Sequence, residues 1–190
     1  MLPNLLPNQL ASQAETVVNT LRQTVYQYAE NIDAAIGVWD CDCNSFVGFV
    51  LEALAPDHYY LIPWDDSRPR PLAFEYCVFF ESLTPESIEG WHQIEFLPDP
   101  RRGDILAWRF PYAQPGQDTG HVVFVADTPA LNDEGNYAVR VYDSADVPHF
   151  EESRGDGTVE SPSGVAPCSS SHLSKSKKKY CLDQIMPASA

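Results

Sequence analysis

Apolar residues at Leu10, Ala14, Val17, Val18, Leu21, Val25, Tyr28, Ala29, Ile32 and Ile36 recur every three or four positions. That spacing predicts one amphipathic helix over about 9–35, ended by Gly37. A second helical stripe, Phe46, Val47, Val50, Leu51 and Leu54, follows Asp42 and stops before Pro56. Pro56, Pro63, Pro69 and Pro71, interspersed with Tyr59, Tyr60 and Trp64, mark 56–71 as a surface loop suited to framing a cleft. Leu72 to Leu83 is aromatic-rich and fits a helix or a strand equally well.

From Trp91 the pattern changes to short β-prone runs. Trp91 to Phe96, Asp104 to Trp108 after the Arg102-Gly103 turn, His121 to Ala126, and Tyr137 to Tyr142 are the candidate strands. Helices first and antiparallel strands after predict an α+β fold, N-terminal helices packed on an antiparallel sheet. A hairpin of 121–127 with 137–143, centred near Asn132, sets Asp143 directly across from His121. Val123, Val125, Val139 and Val141 then fill the same face behind them, and a two-residue slip would move the acid away.

The chain has 190 residues, 44% hydrophobic and 21% charged, which fits one folded domain with a substantial core. Glu151 to Ala190 departs from that composition, being rich in Ser, Gly and Pro, and is expected to be a mobile tail following a domain over 1–150. No apolar run approaches the roughly 20 residues of a membrane span. Met1 to Gln13 carries no Lys or Arg and is broken by Pro3 and Pro7, unlike a signal peptide, so a cytoplasmic location is expected. The net charge is −15, and all four lysines (Lys175, Lys177, Lys178, Lys179) lie in the final segment. So acidic a body repels phosphate backbones, which argues against nucleic-acid binding.

Cysteine usage turns attention to chemistry. Five cysteines, Cys41, Cys43, Cys77, Cys168 and Cys181, make an odd number that suits a reducing compartment better than a disulfide scaffold. Cys41-Asp42-Cys43 is not a CxxC pair, and no second cysteine pair sits near a His pair, so no structural zinc site is expected. Cys43 falls in the first turn of the second helix, behind a capping Asp. The helix dipole and free N–H groups there favour a thiolate, whereas Asp42 opposes one by like charge, so an imidazole is needed nearby. The plainer reading makes Cys43 a small buried apolar residue. His121 opens an apolar strand at the sheet's end, fit to serve either as a general base or as a surface cap. Asp143 is either the acid that orients that imidazole or a strand-end turn former.

Asp42-Cys43-Asn44-Ser45-Phe46-Val47, Gly103-Asp104-Ile105-Leu106-Ala107-Trp108 and Gly120-His121-Val122-Val123, in that order, resemble the papain-like cysteine hydrolases of the NlpC and CHAP kind. The resemblance covers about residues 39–145. It implies a papain-like fold with Cys43 as nucleophile, His121 as base and Asp143 as orienting residue. It also implies an amide or peptide substrate, including fragments of peptidoglycan stems, cleaved without cofactor. Asn44 stands where the family pattern has Ser or Thr, and the Leu61–Phe80 stretch exceeds that of the smallest members. Cys41 is the rival nucleophile, disfavoured because it precedes the helix, and His149 is the rival third residue. Cys77 is expected in the core, His58 and His92 at the surface, and Asp104 at a turn. Tyr26, Tyr28 and Trp39 read as packing residues, with a tyrosine beside the cysteine suited to binding an oxyanion. Two other functions fit the same chain, a non-catalytic binding domain on this fold and a thiol acyltransferase.

Overall fold

The apolar stripe at the N-terminus does not stay helical as far as Gly37. In the computed structural model, which describes residues 5–84, 89–97, 99–110, 118–133 and 135–146 and the main chain of 164–173 and 181–185, α1 runs only from Leu5 to Thr20. It buries Leu10, Ala11, Ala14 and Val17. The chain then extends, through a bridge between Gln23 and Val38, into a hairpin of β1 (Asn31–Asp33) and β2 (Val38–Asp40). Gly37 belongs to that turn and not to a helix end. Its φ of 76° is left-handed, and a Cβ there would stand 2.4 Å from the Thr20 carbonyl oxygen. β-branched Val25 and Ile32 and aromatic Tyr26 and Tyr28 suit extended chain, and that preference prevails over the helical spacing.

Helix α2 (Cys43–Leu54) follows as expected, and the proline-rich loop opens with the single turn α3 (Pro56–Tyr59). The ambiguous aromatic stretch is helix α4 (Ala73–Ser82), with Glu75 reaching back to the Leu72 N–H at 2.9 Å. Strands β3 (Trp91–Ile94), β4 (Ile105–Arg109), β5 (Gly120–Val125), β6 (Ala130–Leu131) and β7 (Tyr137–Ala145) come next, then β8 (Gly164–Leu173) and β9 (Cys181–Ile185). The fold is α+β, and every pairing in the larger sheet is antiparallel, in the order β3-β9-β4-β5-β7-β6 with β8 also on β7.

Within the segment expected to be a tail, the main chain of 164–173 pairs with β7 and that of 181–185 lies between β3 and β4, while the rest of 151–190 lies outside the described residues. The ladder is made by main-chain N–H and C=O groups, which need no apolar alternation in the strand that supplies them. Between Val141 and Asp143 the register of β8 jumps from Ser169 to Ala166. The skipped pair contains Pro167, which has no N–H to give.

Two layers of apolar side chains result. Phe46, Val47, Val50 and Leu51 of α2 and Tyr76, Cys77 and Phe80 of α4 pack on Ile105, Ala107, Val122 and Phe124. Val123, Val125, Val139 and Val141, the row expected on one face, form a second cluster with Leu106. Arg102 fastens α1 to the sheet, reaching Glu15 Oε2 at 2.7 Å, the Tyr142 hydroxyl at 3.1 Å and the Ala126 carbonyl at 3.2 Å.

Gly103 marks a close approach of backbone to backbone in this arrangement. Its φ is 92° and a Cβ would fall 1.8 Å from the Pro7 carbonyl oxygen. Gly103→Ala is expected to cost at least about 2 kcal/mol, since a left-handed backbone and a main-chain clash add. Melting followed by circular dichroism should then fall by at least roughly 4 °C. An unchanged melting temperature would mean that α1 does not pack against this turn.

Candidate functional site

Helix α2 begins where it does because Asp42 caps it. Asp42 is extended (φ −90°, ψ −179°), and its Oδ1 accepts the Ser45 N–H and the Ser45 hydroxyl, both at 2.8 Å. Cys43 is thereby the first helical residue, and its N–H is one of those without a partner inside the helix. Its side chain is 1% exposed. The thiol points toward Asn44 Oδ1 at 3.7 Å, and the Tyr26 hydroxyl lies 4.0 Å from Sγ. Asn44 itself donates to Asp42 Oδ2 at 3.3 Å, so the unusual residue of the motif serves the helix start. Burial, with the Cys43, Asp118 and Asp42 charges adding to it, pushes the Tyr26 pKa far up, which keeps the phenol a hydrogen-bond donor.

His121 and Asp143 meet, though not in the expected register. β5 pairs with β7 as Phe124 with Tyr142 and Val125 with Val141, so Asp143 falls opposite Val123, two residues from the expected place. The hairpin turn is displaced because Asn132 closes it, accepting the Asn136 N–H at 2.8 Å, while Ala130 and Leu131 form β6 against Ala138 and Tyr137. The acid is nonetheless within reach along the diagonal, as neighbours two residues apart on one face are. His121 Nε2 and Asp143 Oδ2 are 2.6 Å apart, and the Asp143 side chain has no solvent exposure. That bond leaves the other ring nitrogen for the sulfur.

Burial opposes the charged form of His121, but the Cys43 charge, hydrogen bonds to Asp143 and Cys43, and the Asp143 charge outweigh it and raise the imidazole pKa well above its ordinary value. Cys43 is therefore near enough to act on the imidazole. Trp108 stands across from His121 on β4, with ring centroids 5.0 Å apart, and covers the imidazole. Gly120, at φ 149°, lets the two strands close there, since a Cβ would meet the Trp108 carbonyl oxygen at 2.0 Å.

The structure thus brings Cys43, His121 and Asp143 together and leaves the rivals aside. Cys41 is fully buried, and burial, reinforced by Asp42, pushes its thiol pKa up to about 12. Its carbonyl accepts the Ser144 hydroxyl at 2.7 Å, which ties the approach to α2 onto β7. Cys77 is in the core, and Asp104 closes its turn by accepting the Arg101 N–H at 2.7 Å. His58 is not a surface group: it is half-buried edge-on against Trp91, and burial lowers its pKa. His92 is likewise half-buried. His149 lies outside the described residues. Trp39 packs on Phe46 and Phe49 as expected.

Two residues of the site escape a reading of the motifs. Trp108 needs the β4–β5 register to be placed over His121. Arg70 sits in the proline-rich loop, and its one sequence signal is a cation between two prolines in a strongly acidic body. It is 4% exposed, with Nη2 3.2 Å from Asp42 Oδ2 and Nη1 3.0 Å from Glu30 Oε1. Among the described residues, no group of three or more His, Cys, Asp and Glu side chains is placed to hold a metal ion, and no helix is long and apolar enough to cross a membrane. No family model, curated protein or solved structure matches the chain.

The raised His121 pKa fixes the sign of a pH effect. A raised pKa contributes stability that is complete below the unfolded value, about 6.5 for histidine, and is lost as pH rises through the folded value. Asp143→Asn removes two of the causes of that rise, so its destabilisation should be larger at acidic than at alkaline pH. Urea unfolding of both proteins at the two extremes measures this. The His121 ring resonances should also titrate lower in the variant than in the wild type. Equal destabilisation at both extremes would contradict the assignment of charge to this pair.

Proposed function

We propose that the protein is a cysteine hydrolase of amide or peptide bonds with a papain-like arrangement of its groups. One observation carries the reading: a cysteine at the first position of a buried helix shares an imidazole with a carboxylate 2.6 Å from its far nitrogen. The motif order on which the resemblance to the NlpC and CHAP hydrolases rests brings in the same three residues.

In this mechanism His121 takes the proton of the Cys43 thiol, and Sγ attacks the carbonyl carbon of the substrate. The oxyanion meets the Cys43 N–H, which has no partner inside the helix, and the Tyr26 hydroxyl, a donor held protonated by its burial. The C–N bond then breaks as the His121 proton passes to the leaving amine. Water, deprotonated by His121, displaces the thiol from the acyl-enzyme and releases the acid. Asp143 keeps the ring in one tautomer and orientation throughout. A non-catalytic binding domain is the alternative; it is favoured by a sulfur out of reach of the imidazole with the cleft blocked, and the effect of Cys43 on the His121 imidazole supports the catalytic reading instead.

Purified protein should hydrolyse peptidoglycan stem peptides or γ-glutamyl amides and be alkylated selectively at Cys43. Cys43→Ala should lose at least about a thousandfold in kcat/KM while keeping its circular dichroism spectrum. Asp143→Asn should show a smaller, graded loss, and Cys41→Ala should retain activity. Inactivation by Cys41→Ala, or a wild type inert toward every such amide, would overturn the proposal. Product formed on an added amine in place of water would make the enzyme an acyltransferase with the same machinery.

A further inference from the structure

Asp42 presents the site with a conflict. The carboxylate that caps α2 is adjacent in sequence to Cys43 and opposes a thiolate there. Its Oδ1 is occupied by Ser45, and its Oδ2 receives Asn44 and Arg70. Among the described residues Arg70 is the cation paired with it. The same guanidinium holds the segment that carries Tyr26. Nη2 also donates to the Tyr28 carbonyl at 2.6 Å, Nη1 pairs with Glu30, and the guanidinium carbon lies 4.4 Å from the centre of the Tyr28 ring. Glu30 is half exposed, whereas the Arg70 side chain and Asp42 are buried.

We infer that Arg70 is a positioning residue of the site: it neutralises the Asp42 carboxylate beside Cys43 and clamps the Tyr26–Glu30 segment over the first turn of α2. The inference rests on Cys43 being the nucleophile, and it assigns the proline-rich loop a part in the chemistry. A flanking proline on each side restricts the backbone of Arg70, which suits a residue whose one side chain must serve three acceptors. An arginine fits this role better than a lysine, whose single ammonium has no planar fork to divide among them.

The test compares the full-length wild type with Arg70→Met, Arg70→Lys, Asp42→Asn and the Arg70→Met/Asp42→Asn double variant. The rate of iodoacetamide alkylation at neutral pH is read by peptide mapping, with folding checked by circular dichroism. Arg70→Met should label Cys43 about tenfold more slowly, the scale of effect an uncompensated neighbouring charge produces. Arg70→Lys should stay much closer to wild type. Adding Asp42→Asn to Arg70→Met should restore most of the rate, which a purely structural role for Arg70 would not produce.

A folded Arg70→Met that labels at the wild-type rate overturns the inference, as does a double variant no faster than the single one. If Arg70→Met does not fold, the double variant is compared with Asp42→Asn alone. With the carboxylate gone, losing Arg70 should change the rate by no more than about twofold, and a tenfold loss overturns the inference. Wild-type label on Cys41 or Cys77 in place of Cys43 overturns the nucleophile assignment and this inference together. Rapid Cys43 labelling in a protein inert toward amides overturns the hydrolase reading alone.

Discussion

The Asp42 carboxylate is the joint on which the site depends. It fixes where α2 begins, and therefore which residue occupies the first helical position and how its side chain is directed. Through Arg70 it also ties the proline-rich loop and the Tyr28–Glu30 segment to that helix start. A buried carboxylate is tolerable only when its oxygens are occupied, and here four donors from three residues do so. Removing any of them leaves charge unsatisfied next to the Cys43 sulfur. Helix start and site chemistry thus share one electrostatic solution.

Much of this was legible in the chain. The Asp-Cys-Asn-Ser cap before a 3.6-residue apolar stripe identified α2 to within a residue, because a side-chain cap is a local event written in adjacent positions. The alternating valines of β5 and β7 likewise announced their shared face, and it exists. What failed were features that depend on partners far away. Val25 to Ile36 carries a helical spacing, yet the neighbours that hold it are Val38 and Asp40, across a turn that requires a left-handed Gly37. The β5–β7 register slipped because the side chain of Asn132, and not the midpoint of the loop, sets the turn.

The same distinction applies to the site. Cys43 and His121 could be proposed from short motifs, and Asp143 from strand parity, which survives a slip of two residues where it would not survive a slip of one. Arg70 could not be read in this way. An arginine in a loop is exposed in most proteins, and burial of this one is decided by Asp42, Glu30 and Tyr28 together. The strands β8 and β9 were hidden for another reason. They contribute backbone to the sheet, and the side-chain pattern from which strands are recognised carries little of that information.

The three groups of the candidate site stand at positions 43, 121 and 143, on a helix and two strands far apart in the chain. A chain emerging from synthesis therefore presents Cys43 long before the strand that brings Asp143 exists, and for that interval the thiol has neither the imidazole nor the carboxylate beside it. Long-range pairings of this kind form late and cooperatively. The constellation is in this sense a property of the completed sheet: local opening of β5 or β7 would part the His121 imidazole from the Asp143 carboxylate.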